Sequence, residues 1–112
     1  MRTIIILISL AAVVAAVAAP GCGGGGSRED EQARDAAVEA AKLAYAQAQR
    51  EGVDMANGPC LGVVLPDWVA DVAHDPRRPV DDDPHNQCAA YRSGQAHHFV
   101  ELDPEGNLIR AQ

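Results

Sequence analysis

Aromatic side chains are scarce: the 112 residues hold one Trp, one Phe and two Tyr. A core built on so few large groups is small. The 47% hydrophobic content overstates it, because much of that share is alanine or lies near the amino terminus. Basic residues are also few. Nine Lys and Arg against sixteen Asp and Glu leave a formal charge of −7, which argues against nucleic acid and against an electrostatic grip on anionic lipid. No apolar run is long enough to span a bilayer. The longest, Ile4 to Ala19, is broken only by Ser9 and covers about sixteen residues, the size of a signal-peptide core rather than of a spanning helix. The chain also lacks a Gly-x-Ser-x-Gly elbow, a phosphate-cradling glycine loop and a Cys-x-x-Cys pair. Those absences remove the usual marks of serine hydrolases, nucleotide binders and dithiol oxidoreductases.

What is present begins with Met1-Arg2-Thr3, a short leader carrying one positive charge, then the apolar run, then Ala19-Pro20-Gly21-Cys22 and Gly23 to Gly26. Small residues before a cysteine resemble the lipobox of bacterial lipoproteins. Gly21 fits that pattern directly before Cys22; Pro20 is less usual, and Ala19 stands where the family prefers leucine. The resemblance implies cleavage before Cys22 and diacylglyceryl attachment there, and it allows N-acylation. Two or three acyl chains anchor stably where one is marginal. The expected organisation is a signal segment over 1–21, a lipidated cysteine with a flexible glycine spacer over 22–27, and a single extracytoplasmic domain over 28–112. Cleavage leaves about 90 residues, a size at which a hydrophobic core is modest and a covalent staple is common.

Ser27 followed by Asp30 predicts a capped helix start. The segment to Arg50 is alanine-rich and free of Gly and Pro, so helix propensity is high. Glu31, Gln32, Asp35, Glu39, Lys42, Gln49 and Arg50 share one arc of the helical wheel. Alanines with Val38, Leu43 and Tyr45 fill the other arc, a shallow apolar face that lets a sheet approach closely. Gly52 supplies the stop. Leu61, Val63 and Leu65 alternate as a short extended piece before Pro66-Asp67. Trp68, Ala70 and Val72 alternate as a strand with the Trp68 face on the helix. Asp75 to Gln87 holds three prolines and dense charge and reads as a long loop. Over Gln95 to Asp103, His98, Val100 and Leu102 share one face, and His97, Phe99 and Glu101 the other. Asp103-Pro104-Glu105-Gly106-Asn107 fits a type I turn closed by a left-handed glycine, returning Leu108 to Arg110 as the last strand. The expected fold is α+β: one amino-terminal amphipathic helix on a small antiparallel three-stranded sheet. This α-β-β-β order resembles PepSY-type and cystatin-like envelope modules in topology only.

If Cys22 takes lipid, Cys60 and Cys88 remain as an even pair outside the cytosol, which reads as one disulfide. On chain-entropy grounds, closing about 29 residues contributes roughly 3.5 kcal/mol. The four histidines, His74, His85, His97 and His98, invite a zinc or calcium reading completed by Asp75 or Asp83. Their spacing matches no known zinc pattern, and adjacent His97 and His98 point to opposite faces of a strand. Asp81-Asp82-Asp83 lacks the alternation and glycine of a calcium loop and reads as a solvated acidic loop. Ser93 could be drawn with His97 or His98 as nucleophile and base, the weakest of these constellations. The expectation is therefore a non-enzymatic module, lipid-anchored on the extracytoplasmic face of the cell membrane, with no cofactor and no nucleic acid. Its partner would be an envelope protein, a peptide or a cell-wall ligand. The alternative is a metal-binding envelope protein.

Overall fold

A computed structural model describes residues 27–112. The expected signal segment 1–21 and Cys22 with its glycine spacer lie outside the described residues. Helix α1 runs Arg28–Arg50. Its first turn is closed by the predicted box: the Asp30 amide donates to the Ser27 hydroxyl at 3.3 Å, and the Ser27 amide donates to the Asp30 carboxylate at 3.1 Å. At the other end Gly52 takes φ +80°. The amides of Gly52 and Val53 then reach back to the carbonyls of Gln49 and Ala48, the Schellman geometry that satisfies the last turn. No helix among the described residues is long and apolar enough to cross a membrane.

The architecture is α+β, and the sheet has four strands rather than three: β1 Cys60–Leu65, β2 Trp68–Val72, β3 His98–Leu102 and β4 Leu108–Ala111, in spatial order 1-2-3-4. The Leu61 to Leu65 piece is a full strand. It pairs antiparallel with β2 across the tight Pro66-Asp67 turn. A second difference lies at the centre. Strands β2 and β3 run parallel, from Trp68 opposite His98 to Val72 opposite Leu102. The cause is the length of the intervening segment. Parallel neighbours need a crossover of a dozen or more residues, and residues 73–97 are long enough to bring the chain back to the end where β2 began.

That crossover is less irregular than its prolines imply. It contains 3-10 turns at Pro79–Asp82 and Pro84–Asn86 and a one-turn helix α2, Ala89–Arg92. Its first half is organised by Asp81, which is buried rather than solvated. The Asp81 carboxylate accepts from the amides of His74 and Arg78 at 3.0 and 2.8 Å and lies 3.0 Å from His74 Nδ1. Burial pushes this carboxyl up, but the bonds from Arg78 and His74 outweigh it and hold the group below its ordinary value. Gly58, at φ +62°, lies directly against it; a Cβ there would sit 2.5 Å from Asp81 Oδ1 and 3.1 Å from the Val72 carbonyl.

The principal core lies between α1 and the sheet, where Ala37, Val38, Ala41 and Tyr45 meet Trp68, Ala70, Val72, Val100, Leu102 and Ala111. The Trp68 face is on the helix, as the alternation requires. The helix buries a narrower stripe than its wheel suggests, and Leu43 is 72% exposed. Four short strands cover only one face of the helix, so the remaining alanines serve helix propensity rather than packing. Tyr45 ties this layer to the β3–β4 turn by donating to the Pro104 carbonyl at 2.6 Å. In that turn the Gly106 amide donates to the Asp103 carbonyl at 2.9 Å.

The crossover covers part of the opposite face, packing Cys88 and Ala96 on Val69. There Cys60 and Cys88 form the expected disulfide, with Cα atoms 5.1 Å apart.

Candidate functional site

The sheet face away from α1 is where chemistry collects. Alternation along the strands sends Val69 and Asp71 of β2, Phe99 and Glu101 of β3, and Arg110 of β4 to this side. The crossover arches over one end and adds Arg77, Gln87, Cys88, Tyr91 and Arg92. Together with Gln112 they line a cleft of about 580 Å³, within the range of small-molecule sites.

Two carboxylates form its floor. Asp71 and Glu101 are register partners in the parallel β2–β3 pair, so their side chains stand next to each other on the same face. Oδ1 of Asp71 is buried and has no hydrogen-bond partner among the described residues. Burial first, then the neighbouring charge of Glu101, push the Asp71 carboxyl up to about 7. The group therefore titrates near neutral pH rather than in acid. Glu101 is better provided for. One of its oxygens lies 3.8 Å from Arg77 and 3.5 Å from Arg110, and Arg77 is itself held by Asp82 at 2.8 Å.

One wall is aromatic. Tyr91 meets Phe99 edge to face, with ring centroids 5.2 Å apart, and the Arg110 guanidinium lies over the Phe99 ring at 5.2 Å. This places a cation, a ring and a second ring in succession beside the carboxylate floor. Arg92 lines the same cleft and has no carboxylate partner among the described residues. No known protein family, curated protein or solved structure matches this chain. The reading of the cleft therefore rests on its own geometry.

The histidines lie elsewhere, and the structure does not bring the four together. Three of them form close pairs with separate aspartates. His74 pairs with Asp81, His85 with Asp83 at 3.0 Å, and His97 with Asp67 at 2.7 Å. No group of three metal-ligating side chains gathers among the described residues. His97 and His98 both reach Asp67, from different oxygens. His97 precedes β3, and Asp67 stands between the two, with His98 Nε2 3.6 Å from its other oxygen. Asp67 occupies the left-handed region at φ 70°, where Asp is tolerated better than most residues, and this turns its carboxylate toward the start of β3. The hydrogen bond from the His97 side chain, then that from its amide, hold Asp67 below its ordinary value. His98 stacks on Trp68 with ring centroids 4.6 Å apart. Asp75 joins no histidine pair. The Ser93 hydroxyl donates to the Ala90 carbonyl at 3.2 Å, which spends it on closing α2. A smaller cavity of about 310 Å³ lies between His74 to Arg78 and the Asp103 to Glu105 turn.

Of the cleft residues, the sequence marks Cys88 as a disulfide partner and sets Phe99 and Glu101 on one strand face, but it does not mark the rest, although one signal for them exists. Asp71 and Glu101 each interrupt an apolar strand on the face away from the helix. Acidic residues at matching positions of two strands mark that face as polar, though alternation alone reads the same for a solvated face.

Proposed function

We propose that this chain is a non-enzymatic binding module, held at the outer face of a cell membrane through lipid on Cys22, whose ligand seats in the cleft on the open face of the sheet. The observation that carries the reading is the cleft itself: a concave surface lined by charged and aromatic side chains, with Arg92 lacking a carboxylate partner among the described residues. The apolar leader, the small residues before Cys22 and the glycine spacer support the tether. In this arrangement the spacer holds the domain off the bilayer so that the cleft is accessible.

Two measurements test the reading. Intact mass of the membrane fraction should show a chain beginning at Cys22 with added acyl groups, and Cys22→Ser should abolish the addition. An unmodified chain beginning at Met1 defeats the tether. A thermal-shift screen of the full chain against small metabolites should return stabilising ligands whose effect disappears in Arg92→Glu. Ligands that stabilise parent and variant alike place binding outside the cleft.

A further inference from the structure

We infer that the cleft on the open sheet face binds a small carboxylate-bearing molecule with a planar apolar body, its carboxylate on Arg92 and Arg110 and its body on Phe99 and Tyr91. The inference rests on the binding-module reading above and adds the ligand's chemistry.

The first argument is charge. The chain carries −7 overall, yet three arginines converge on this one cleft. Of these, Arg77 is committed to Asp82 and shares Glu101 with Arg110. Arg92 has no such commitment among the described residues. A guanidinium presents paired donors that match a carboxylate, so an anionic group completes what the protein leaves open. The floor does not oppose this. Glu101 is engaged by two arginines, and burial beside Glu101 disfavours the charged form of Asp71.

The second argument is shape and surface. Arg110 lies over the Phe99 ring, and Tyr91 meets that ring edge-on. A planar group entering beside Phe99 and Tyr91 meets aromatic surface next to a guanidinium that already covers one face of Phe99, surroundings that suit a ring carrying a negative substituent. Val69 and the Cys88 side of the disulfide add apolar surface to the lining. Asp71 then faces the interior end of such a ligand, where its carboxyl can donate to or accept from a hydroxyl or amide.

The test compares probes with one body and different charges: phenylacetate, phenethylamine and 2-phenylethanol. Glucuronate is added as a carboxylate on a sugar ring. Each is titrated into the 15N-labelled full chain in detergent micelles, following the amides of Arg92, Phe99 and Arg110. Phenylacetate should shift these amides with Kd of about 1 mM, the strength expected of so small a ligand. Phenethylamine and phenylethanol should bind at least about tenfold more weakly. Arg92→Gln should weaken phenylacetate about fivefold or more, with Arg92→Lys recovering part of the loss. Glucuronate weaker than phenylacetate supports the planar body; the reverse order overturns that part and assigns the carboxylate to a sugar. Preference for phenethylamine overturns the ligand class while leaving the cleft a binding site. Equal affinity in parent and Arg92→Gln overturns the role of Arg92. Silence of the cleft amides toward every probe overturns this inference, and the thermal-shift screen then decides the binding-module reading separately.

Discussion

Replacing Asp71 by Asn should make the domain more stable at pH 8 than at pH 4, relative to the parent at each pH. Asp71 is half-buried, stands beside Glu101 and has its carboxyl pushed up to about 7 from an ordinary 3.8. A carboxyl raised by folding contributes stability that is fully present below its unfolded value. That contribution is lost as pH rises toward 7, because the unfolded chain releases the proton more readily. The span from 3.8 to about 7 corresponds to about 4 kcal/mol at 1.36 kcal/mol per pH unit. Partial solvent contact of the group reduces this to about 2 kcal/mol. Asn keeps the shape and cannot ionise, so it escapes the loss. Any pH-independent packing change cancels when the variant-minus-parent difference at pH 4 is subtracted from that at pH 8. For a domain of this size the remaining gain corresponds to about 10 °C in Tm, readable by circular dichroism or calorimetry on the full chain. In a Glu101→Gln background the gain should shrink, because one of the two causes is gone. A variant-minus-parent difference that stays constant from pH 4 to pH 8, or that turns against Asn as pH rises, refutes the reasoning.

Three further predictions concern what holds the cleft in place. Cys60→Ser or Cys88→Ser should cost about 2–5 kcal/mol, read by denaturant melts with and without reductant; if reductant leaves the parent's melt unchanged, the staple contributes nothing. Gly58→Ala should destabilise by about 2 kcal/mol or more, because a Cβ meets both a left-handed backbone and the Asp81 carboxylate; a loss well under 1 kcal/mol would show that Asp81 can move aside. Asp81→Asn should cost about 1–3 kcal/mol, since an amide oxygen can keep the two backbone bonds on Oδ2 but loses the charge that strengthens them, and its NH2 replaces the oxygen that faces His74 Nδ1. The Asp81 carboxyl is held below its ordinary value, so its contribution is present above the unfolded value and fades as pH falls through the folded one. The Asn variant should therefore come nearer to the parent in acid, and a gap that widens there would contradict the assignment.

Local features were readable where one short-range rule decided them. Ser27 and Asp30 cap α1, Gly52 ends it, and Gly106 closes the last hairpin because each involves neighbours within a few residues. Strand faces were also readable, since period-two alternation places Trp68 and Val100 on one side and Phe99 and Glu101 on the other. The direction of β3 was not. Whether a chain returns parallel or antiparallel depends on where residues 73–97 dock, and that is decided by long-range contacts of Asp81, Cys88 and Ala96. The cleft was hidden for the same reason. Arg77, Arg92 and Arg110 are far apart in sequence and converge only once the crossover is seated. Histidines stand out in a sequence by residue type, whereas partners such as Asp67, delivered by a turn thirty residues away, do not.

The sheet separates two layers held together by different forces. On one side, α1 adheres through close apolar packing that is indifferent to redox state and salt. On the other, the crossover rests on a small apolar cluster of Val69, Cys88 and Ala96 and is fastened by one sulfur–sulfur bond and a few ion pairs. A reductant with added salt should therefore act as a selective solvent, lifting the crossover while the helix stays on the sheet. Amide exchange would then accelerate over residues 75–97 ahead of α1, and the binding surface would be lost before the fold.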